Sequence, residues 1–128
     1  MKDGDTVRVL TVIAPQATSA PRRVVATNTA NARVVKELVD HRFVHLAQVH
    51  SHPGAWVDHS DGDDEWAAFK HHGLLSLVVP NYCRRGMLPL AKCGVHRYQD
   101  GEFKRLSDKY VESHFELSDA EIQLFDLR

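Results

Sequence analysis

Leu74-Leu75-Ser76-Leu77-Val78-Val79-Pro80 is a nearly unbroken apolar run closed by a residue that cannot continue a strand ladder. A short strand without polar alternation belongs in a sheet that is covered on both faces, because neither of its faces is suited to water. Downstream, Asn81 to Pro89 holds Gly86, Arg84 and Arg85 and reads as a solvated loop. Leu90–Tyr98 and Glu102–Leu106 then flank Gln99-Asp100-Gly101, where the Asp-Gly pair signals a hairpin turn. Upstream, Asp63 to His72 starts acidic, ends in basic residues and histidines, and is closed by Gly73, a pattern that predicts a helix. Phe43 to His50 predicts a strand ended by Pro53-Gly54.

Further out, Asn28 to Asp40 places Ala30, Val34, Val35, Leu38 and Val39 along one stripe, with Thr29 or Asn31 as the expected N-cap. Pro15 to Arg23 reads as a loop, and the β-branched stretch Val7 to Ala14 as a strand. The tail admits two readings: a capping box at Ser118 and Glu121, or an edge strand over Ile122 to Leu127. The sum is one α/β (α+β) domain over residues 1–128, a mixed sheet flanked by helices.

The composition fits that reading: 128 residues, 43% hydrophobic and 26% charged, enough for a single core. Sixteen basic against 17 acidic side chains give a formal charge of −1, which argues against nucleic acid or an anionic membrane surface as partner. The chain carries no apolar run of transmembrane length and no signal-peptide h-region at its start, so a cytoplasmic protein is expected. Cys83 and Cys93 lack metal-ribbon spacing and are expected to be free thiols.

The outlying residue type is histidine, with nine copies. His50 and His52 stand two apart on a predicted strand, so their imidazoles project from one face with Cα atoms about 6.5–7 Å apart. Such a pair suits a divalent metal, zinc above all. After a loop of seven residues the chain can return Ser60, and then Asp63, towards that face. Two histidines and a carboxylate leave a fourth tetrahedral position open, as in catalytic rather than structural zinc sites. An EF-hand reading of Asp61-Gly62-Asp63 fails, because it puts Val57 and Ala68 where calcium needs oxygen. A serine-hydrolase reading fails for want of a nucleophile elbow, Ser60 being flanked by His59 and Asp61. Trp56 and His59 read as an exposed aromatic and a surface histidine, and His71-His72 as the end of a helix.

The pattern H-x-H-P, seven residues from the second histidine to a serine, then S-x-x-D, resembles the JAMM (MPN-plus, Mov34/JAB) zinc metalloprotease signature at His50, His52, Pro53, Ser60 and Asp63. The likeness extends over roughly residues 6–115 and is closer to the bacterial JAB branch. It implies zinc on His50, His52 and Asp63, with Ser60 stabilising the oxyanion. It also implies hydrolysis of an amide or isopeptide bond at the tail of a ubiquitin-like protein, with a ubiquitin-activating-enzyme-like protein as a further partner. The family's general base is a glutamate on an upstream strand. Ahead of His50 this chain has only Asp3, Asp5, Glu37 and Asp40, none at the matching place, and the family's N-terminal helix and first strand have no counterpart. The alternative expectation is therefore a zinc-binding, catalytically impaired module that serves as a partner or scaffold.

Overall fold

A computed structural model describes residues 6–20, 23–65 and 67–128. The apolar run forms strand β5 (Leu75–Val79), and around it a four-stranded sheet is laid down in the order β4-β5-β6-β7. Here β4 is Ala47–Ser51, β6 Gly94–Gln99 and β7 Glu102–Arg105. β4 and β5 run parallel, and the two later pairs are antiparallel, so the sheet is mixed. β6 and β7 meet at the expected hairpin, with Asp100 and Gly101 both at positive φ (53° and 81°), the geometry of a type I′ turn. Leu74, Ser76, Val78, Val79 and Val95 are fully buried, whereas Leu75 and Leu77, on the β5 face opposite Ser76 and Val78, are only half-buried. The covering expected on both faces is thus complete on one and partial on the other.

Helix α1 spans Asn28–Asp40, as the apolar spacing predicts. Its cap is Thr27 rather than Thr29 or Asn31: the Thr27 hydroxyl accepts from the Ala30 N–H at 3.1 Å. Ala30 and Val34 are buried, while Val35 and Val39 stay exposed, so the apolar stripe is narrower than its spacing suggests. The helix closes in a Schellman arrangement. Phe43 N–H reaches Leu38 C=O, Arg42 N–H reaches Val39 C=O, and Arg42 takes the left-handed conformation (φ 55°) usually given to glycine.

Three expectations are corrected. The helix predicted from Asp63 to His72 is a single short element, α2 (Asp61–Glu65). Its aspartates and glycine are weak helix formers, and the chain beyond it leaves the helical path for tertiary contacts instead. Phe69 meets His45 edge-on, and His71 Nε2 lies 3.0 Å from the His45 carbonyl. His71-His72 therefore ends no helix. The Pro15–Arg23 loop contains the strand β2 (Thr18–Ala20), which pairs antiparallel with β3 (Arg23–Val25). Strand β1 is Thr11–Ala14, shorter than predicted, and it pairs in parallel with β8 (Gln123–Asp126), so the tail is a strand. Ahead of it α3 (Asp108–His114), capped by Ser107, buries Val111 and lies against the turn at Leu90–Lys92.

The parallel pair β4/β5 needs a crossover, and residues 52–74 provide it. The crossover starts at the carboxyl end of β4, where open α/β sheets place their ligands. No helix among the described residues is long and apolar enough to cross a membrane.

Candidate metal centre

Bridging in register from β4 to β5, β6 and β7 makes two rows of side chains on the face that carries the even-numbered residues of β4. One row is Gln48, Ser76, His96 and Arg105; the other is His50, Val78 and Gly94. His52, one step beyond β4, continues the same face. Its backbone is held from both sides: its N–H donates to Val79 C=O and its C=O accepts from Tyr82 N–H, each at 2.9 Å.

Asp63 arrives from α2. Its N–H donates to Ser60 Oγ at 3.0 Å, while Ser60 N–H donates to Asp63 Oδ2 at 2.8 Å. This reciprocal capping box at the start of α2 is the local reason for the S-x-x-D spacing: it fixes the carboxylate's direction before any tertiary contact forms. The Ser60 oxygen accepts in this bond, which leaves its O–H available as a donor. The three aspartates in the first turn of α2 also suit its dipole.

These pieces bring the predicted side chains together. His50 Nε2 lies 3.3 Å from His52 Nε2 and 3.3 Å from Asp63 Oδ1, and His52 Nε2 lies 3.0 Å from Asp63 Oδ2. A tetrahedral ion with bonds of about 2.0–2.1 Å sets its ligand atoms roughly 3.3 Å apart. The two imidazole nitrogens and the carboxylate, which meets each ring with a different oxygen, are thus close enough together to share such an ion. Among the described residues no fourth histidine, cysteine, aspartate or glutamate joins them.

The donor chemistry points the same way. His52 Nδ1 is 2.9 Å from the Trp56 carbonyl, so Nδ1 carries a hydrogen and donates there, while Nε2 faces the Asp63 carboxylate at 3.0 Å. A ring that also carries a hydrogen on Nε2 can donate it to the carboxylate, and a ring without it offers Nε2 as a metal ligand. A ring nitrogen tied to a backbone carbonyl while the other faces the centre is also the outer-shell pattern of metal-bound histidine. The Trp56 indole stacks on the His52 ring at 13° with centroids 5.3 Å apart, and it is exposed as expected. Burial would raise the Asp63 pKa. Hydrogen bonds from His50, the Ser60 backbone and His52 outweigh it and hold the carboxyl well below the usual carboxylate range.

The remaining candidates lie elsewhere. Glu37 pairs with His41 on α1 at 3.4 Å, and Asp40 pairs with Lys36. Asp3 and Asp5 are outside the described residues. Cys83 is exposed and Cys93 buried, both free. His41, His45, His96 and His114 do not join the cluster.

His59 is a correction. Read as a surface histidine, it has a side chain only 4% exposed, with Nδ1 2.9 Å from Asp64 Oδ1 and Nε2 2.8 Å from Ser76 Oγ. Local polarity around His59 suggests solvent, and only the folding of the crossover onto the sheet covers it. Gly94 is a further residue of the site that no local pattern marks. A Cβ placed there would lie 1.8 Å from the Val57 carbonyl oxygen, so the crossover sits directly against a backbone that has no side chain. Nothing in the pattern around Cys93-Gly94-Val95 signals that approach.

No protein-family model matches the chain. Over 39 residues, 30% of this chain, it is 56% identical to the probable metalloprotease y4jG of Sinorhizobium fredii. That stretch covers 24% of the relative, so the chain matches about a quarter of the relative's length. The chain is thus similar in part to a probable metalloprotease, and it carries a His-His-Asp cluster compatible with a metal ion.

Proposed function

We propose that this protein is a zinc hydrolase of the JAMM/MPN-plus type, cleaving an amide or isopeptide bond at the tail of a ubiquitin-like protein. The observation that carries the metal is the triangle of His50 Nε2, His52 Nε2 and Asp63 carboxylate at 3.0–3.3 Å, with the His52 tautomer fixed by Trp56. The likeness to a probable metalloprotease supports the hydrolytic reading. The H-x-H-P and S-x-x-D spacing supports the family, and with it the ubiquitin-like tail and a ubiquitin-activating-enzyme-like partner.

His50, His52 and Asp63 would hold the ion. Zinc bound by three protein ligands polarises a carbonyl and lowers the pKa of water towards neutrality. Ser60 contributes a directed O–H. With its oxygen occupied by the Asp63 N–H, the hydroxyl hydrogen is free to bond the oxygen that gains charge as the carbonyl is attacked. Trp56 walls the centre beside His52 and limits water on that side.

A second reading rests on the sequence: the resemblance calls for a glutamate as general base ahead of His50, and Asp3, Asp5, Glu37 and Asp40 do not stand at the matching place. On this reading the chain binds zinc and serves as a binding or scaffold module.

Metal analysis of the purified protein is expected to find about one zinc per chain, as one three-ligand site demands, and His52→Ala is expected to lose it. A wild-type protein that takes up no zinc overturns both readings. Cleavage of a ubiquitin-like protein extended at its C-terminus separates them. Turnover abolished by Asp63→Asn supports the hydrolase. Zinc uptake without turnover supports the module, since absence of a general base costs about 10²–10⁴ in rate.

A further inference from the structure

The crossover is fastened to the sheet by three consecutive residues, each on a different strand. The Val57 carbonyl packs on Gly94 of β6. Asp58 pairs with Arg105 of β7. His59 reaches Ser76 of β5. The first contact is steric and the second lies in partly exposed side chains, where an ion pair is worth little. The third is buried and directional, and its hydrogens can be followed.

The Asp64 carboxylate accepts from His59 Nδ1–H at 2.9 Å, which leaves Nε2 as acceptor for the Ser76 hydroxyl at 2.8 Å. Ser76 Oγ in turn accepts from Gln48 Nε2 at 3.2 Å. The bonds in the line from Gln48 to Asp64 therefore run in compatible directions, with Ser76 Oγ both accepting and donating, and the His59–Ser76 part of the line is buried, so it selects one geometry. The connectivity is that of a Ser-His-Asp triad, but Ser76 is wholly buried and no substrate can reach its hydroxyl. The chain of bonds holds a position and attacks nothing.

What it holds is adjacent to the centre. His59 precedes Ser60, its partner Asp64 follows Asp63, and its ring packs beside that of His50 with centroids 5.8 Å apart. We propose that His59 is a positioning residue for the metal centre: through Ser76 and Asp64 it locks the Ser60–Asp63 capping box in register with the imidazoles of His50 and His52. The inference rests on the metal reading above and assigns a role to a residue outside the H-x-H-P and S-x-x-D pattern.

Zinc affinity by chelator competition, the visible spectrum of the cobalt-substituted protein and backbone amide exchange of the metal-free protein test it. His59→Ala is expected to raise Kd for zinc about 10–100-fold, the usual cost of losing an outer-shell partner, and to shift the cobalt bands. Asp64 is 53% exposed, so its variants leave the core intact. Asp64→Ala is expected to weaken zinc by a smaller factor and Asp64→Asn to restore it, because the amide oxygen still accepts from His59 Nδ1–H. A His59→Ala protein with wild-type Kd and cobalt spectrum, whatever its melting temperature, overturns the proposal. Should the wild type bind no metal, the functional reading fails, and amide exchange still tests this one. Protection at Asp63 and Asp64 lost in His59→Ala and in Asp64→Ala, but kept in Asp64→Asn, supports the lock. Unchanged protection in His59→Ala overturns it.

Discussion

The first half of the crossover, residues 52–65, and the β1/β8 ribbon lie in one small domain and are built on opposite terms. In the crossover, most polar side chains that leave water find partners: His52 on Trp56, Asp63 on Ser60, His59 on Asp64 and Ser76. In the ribbon, Val12 and Leu124 face each other across the ladder and are 47% and 61% exposed, with Leu10 and Ile122 beside them also exposed. The ribbon also contains Thr11 Oγ1, a buried side-chain oxygen that has no hydrogen-bond partner. Two-stranded sheets are marginal in isolation. The crossover draws its order from the four-stranded sheet beneath it, whereas the ribbon presents part of its apolar surface to water. The difference teaches that satisfied polar contacts here follow the buried sheet rather than strand propensity, since the crossover, rich in Pro, Gly and Asp, makes them and the β-branched ribbon leaves Thr11 Oγ1 without one.

The same substitution in the two regions gives the widest contrast. Leu74 is 1% exposed and Leu124 61%. Leu74→Ala is expected to cost about 2–5 kcal/mol, the range for a buried leucine, and Leu124→Ala no more than about 0.5 kcal/mol. Urea denaturation of each variant checks this, and equal losses would erase the distinction.

Gly94→Ala sharpens it at the seam between sheet and crossover. The added methyl meets backbone, which cannot swing aside as a side chain would. A loss of about 1–3 kcal/mol is expected from overpacking, together with weaker zinc binding, because Val57 must lift and carry the loop with it. Calorimetry with and without zinc reads both, and a melting temperature matching the wild type would show that the loop can move off without cost.

The smallest expected effect is on pH dependence, and it too belongs to the sheet under the crossover. Burial pushes His96 down to about 4, with the neighbouring His59 and Arg105 adding to the shift and the Ser76 carbonyl and Asp58 opposing it. His45 is lowered as well, by burial and then by His71. A histidine lowered on folding binds its proton more readily in the unfolded chain. Its contribution is whole above the ordinary histidine value of about 6.5 and is lost as pH falls towards 4. The lowered Asp63 acts further down, its contribution being lost as pH falls through the ordinary carboxylate range and below it. Denaturation midpoints of the metal-free protein should therefore fall between about pH 7 and pH 4.5, and less steeply in His96→Asn. Identical slopes would remove His96 from the balance.

Much of the fold was legible because it is written in local pattern. The stripe at Ala30 and Val34 places α1, the apolar run of β5 marks the buried strand, and Asp100-Gly101 turns the hairpin. The helix expected beyond Glu65 was not, because charge at its two ends mimics a helix whose weak formers lose to the contacts of Phe69 and His71 with His45. The parallel pairing of β1 with β8 joins residues more than a hundred positions apart, and no turn signal announces it.

At the candidate centre, strand alternation is a short-range rule that puts His50 and His52 on one face wherever the strand goes, while Ser60 and Asp63 are singled out by the likeness of the H-x-H-P and S-x-x-D spacing to a family signature. The burial of His59, the Trp56 carbonyl on His52 and the bare backbone of Gly94 under Val57 emerged only from the packed molecule. Each depends on which surfaces meet after the crossover folds back on the sheet, and a contact between distant segments leaves no period in the chain for a reader to find.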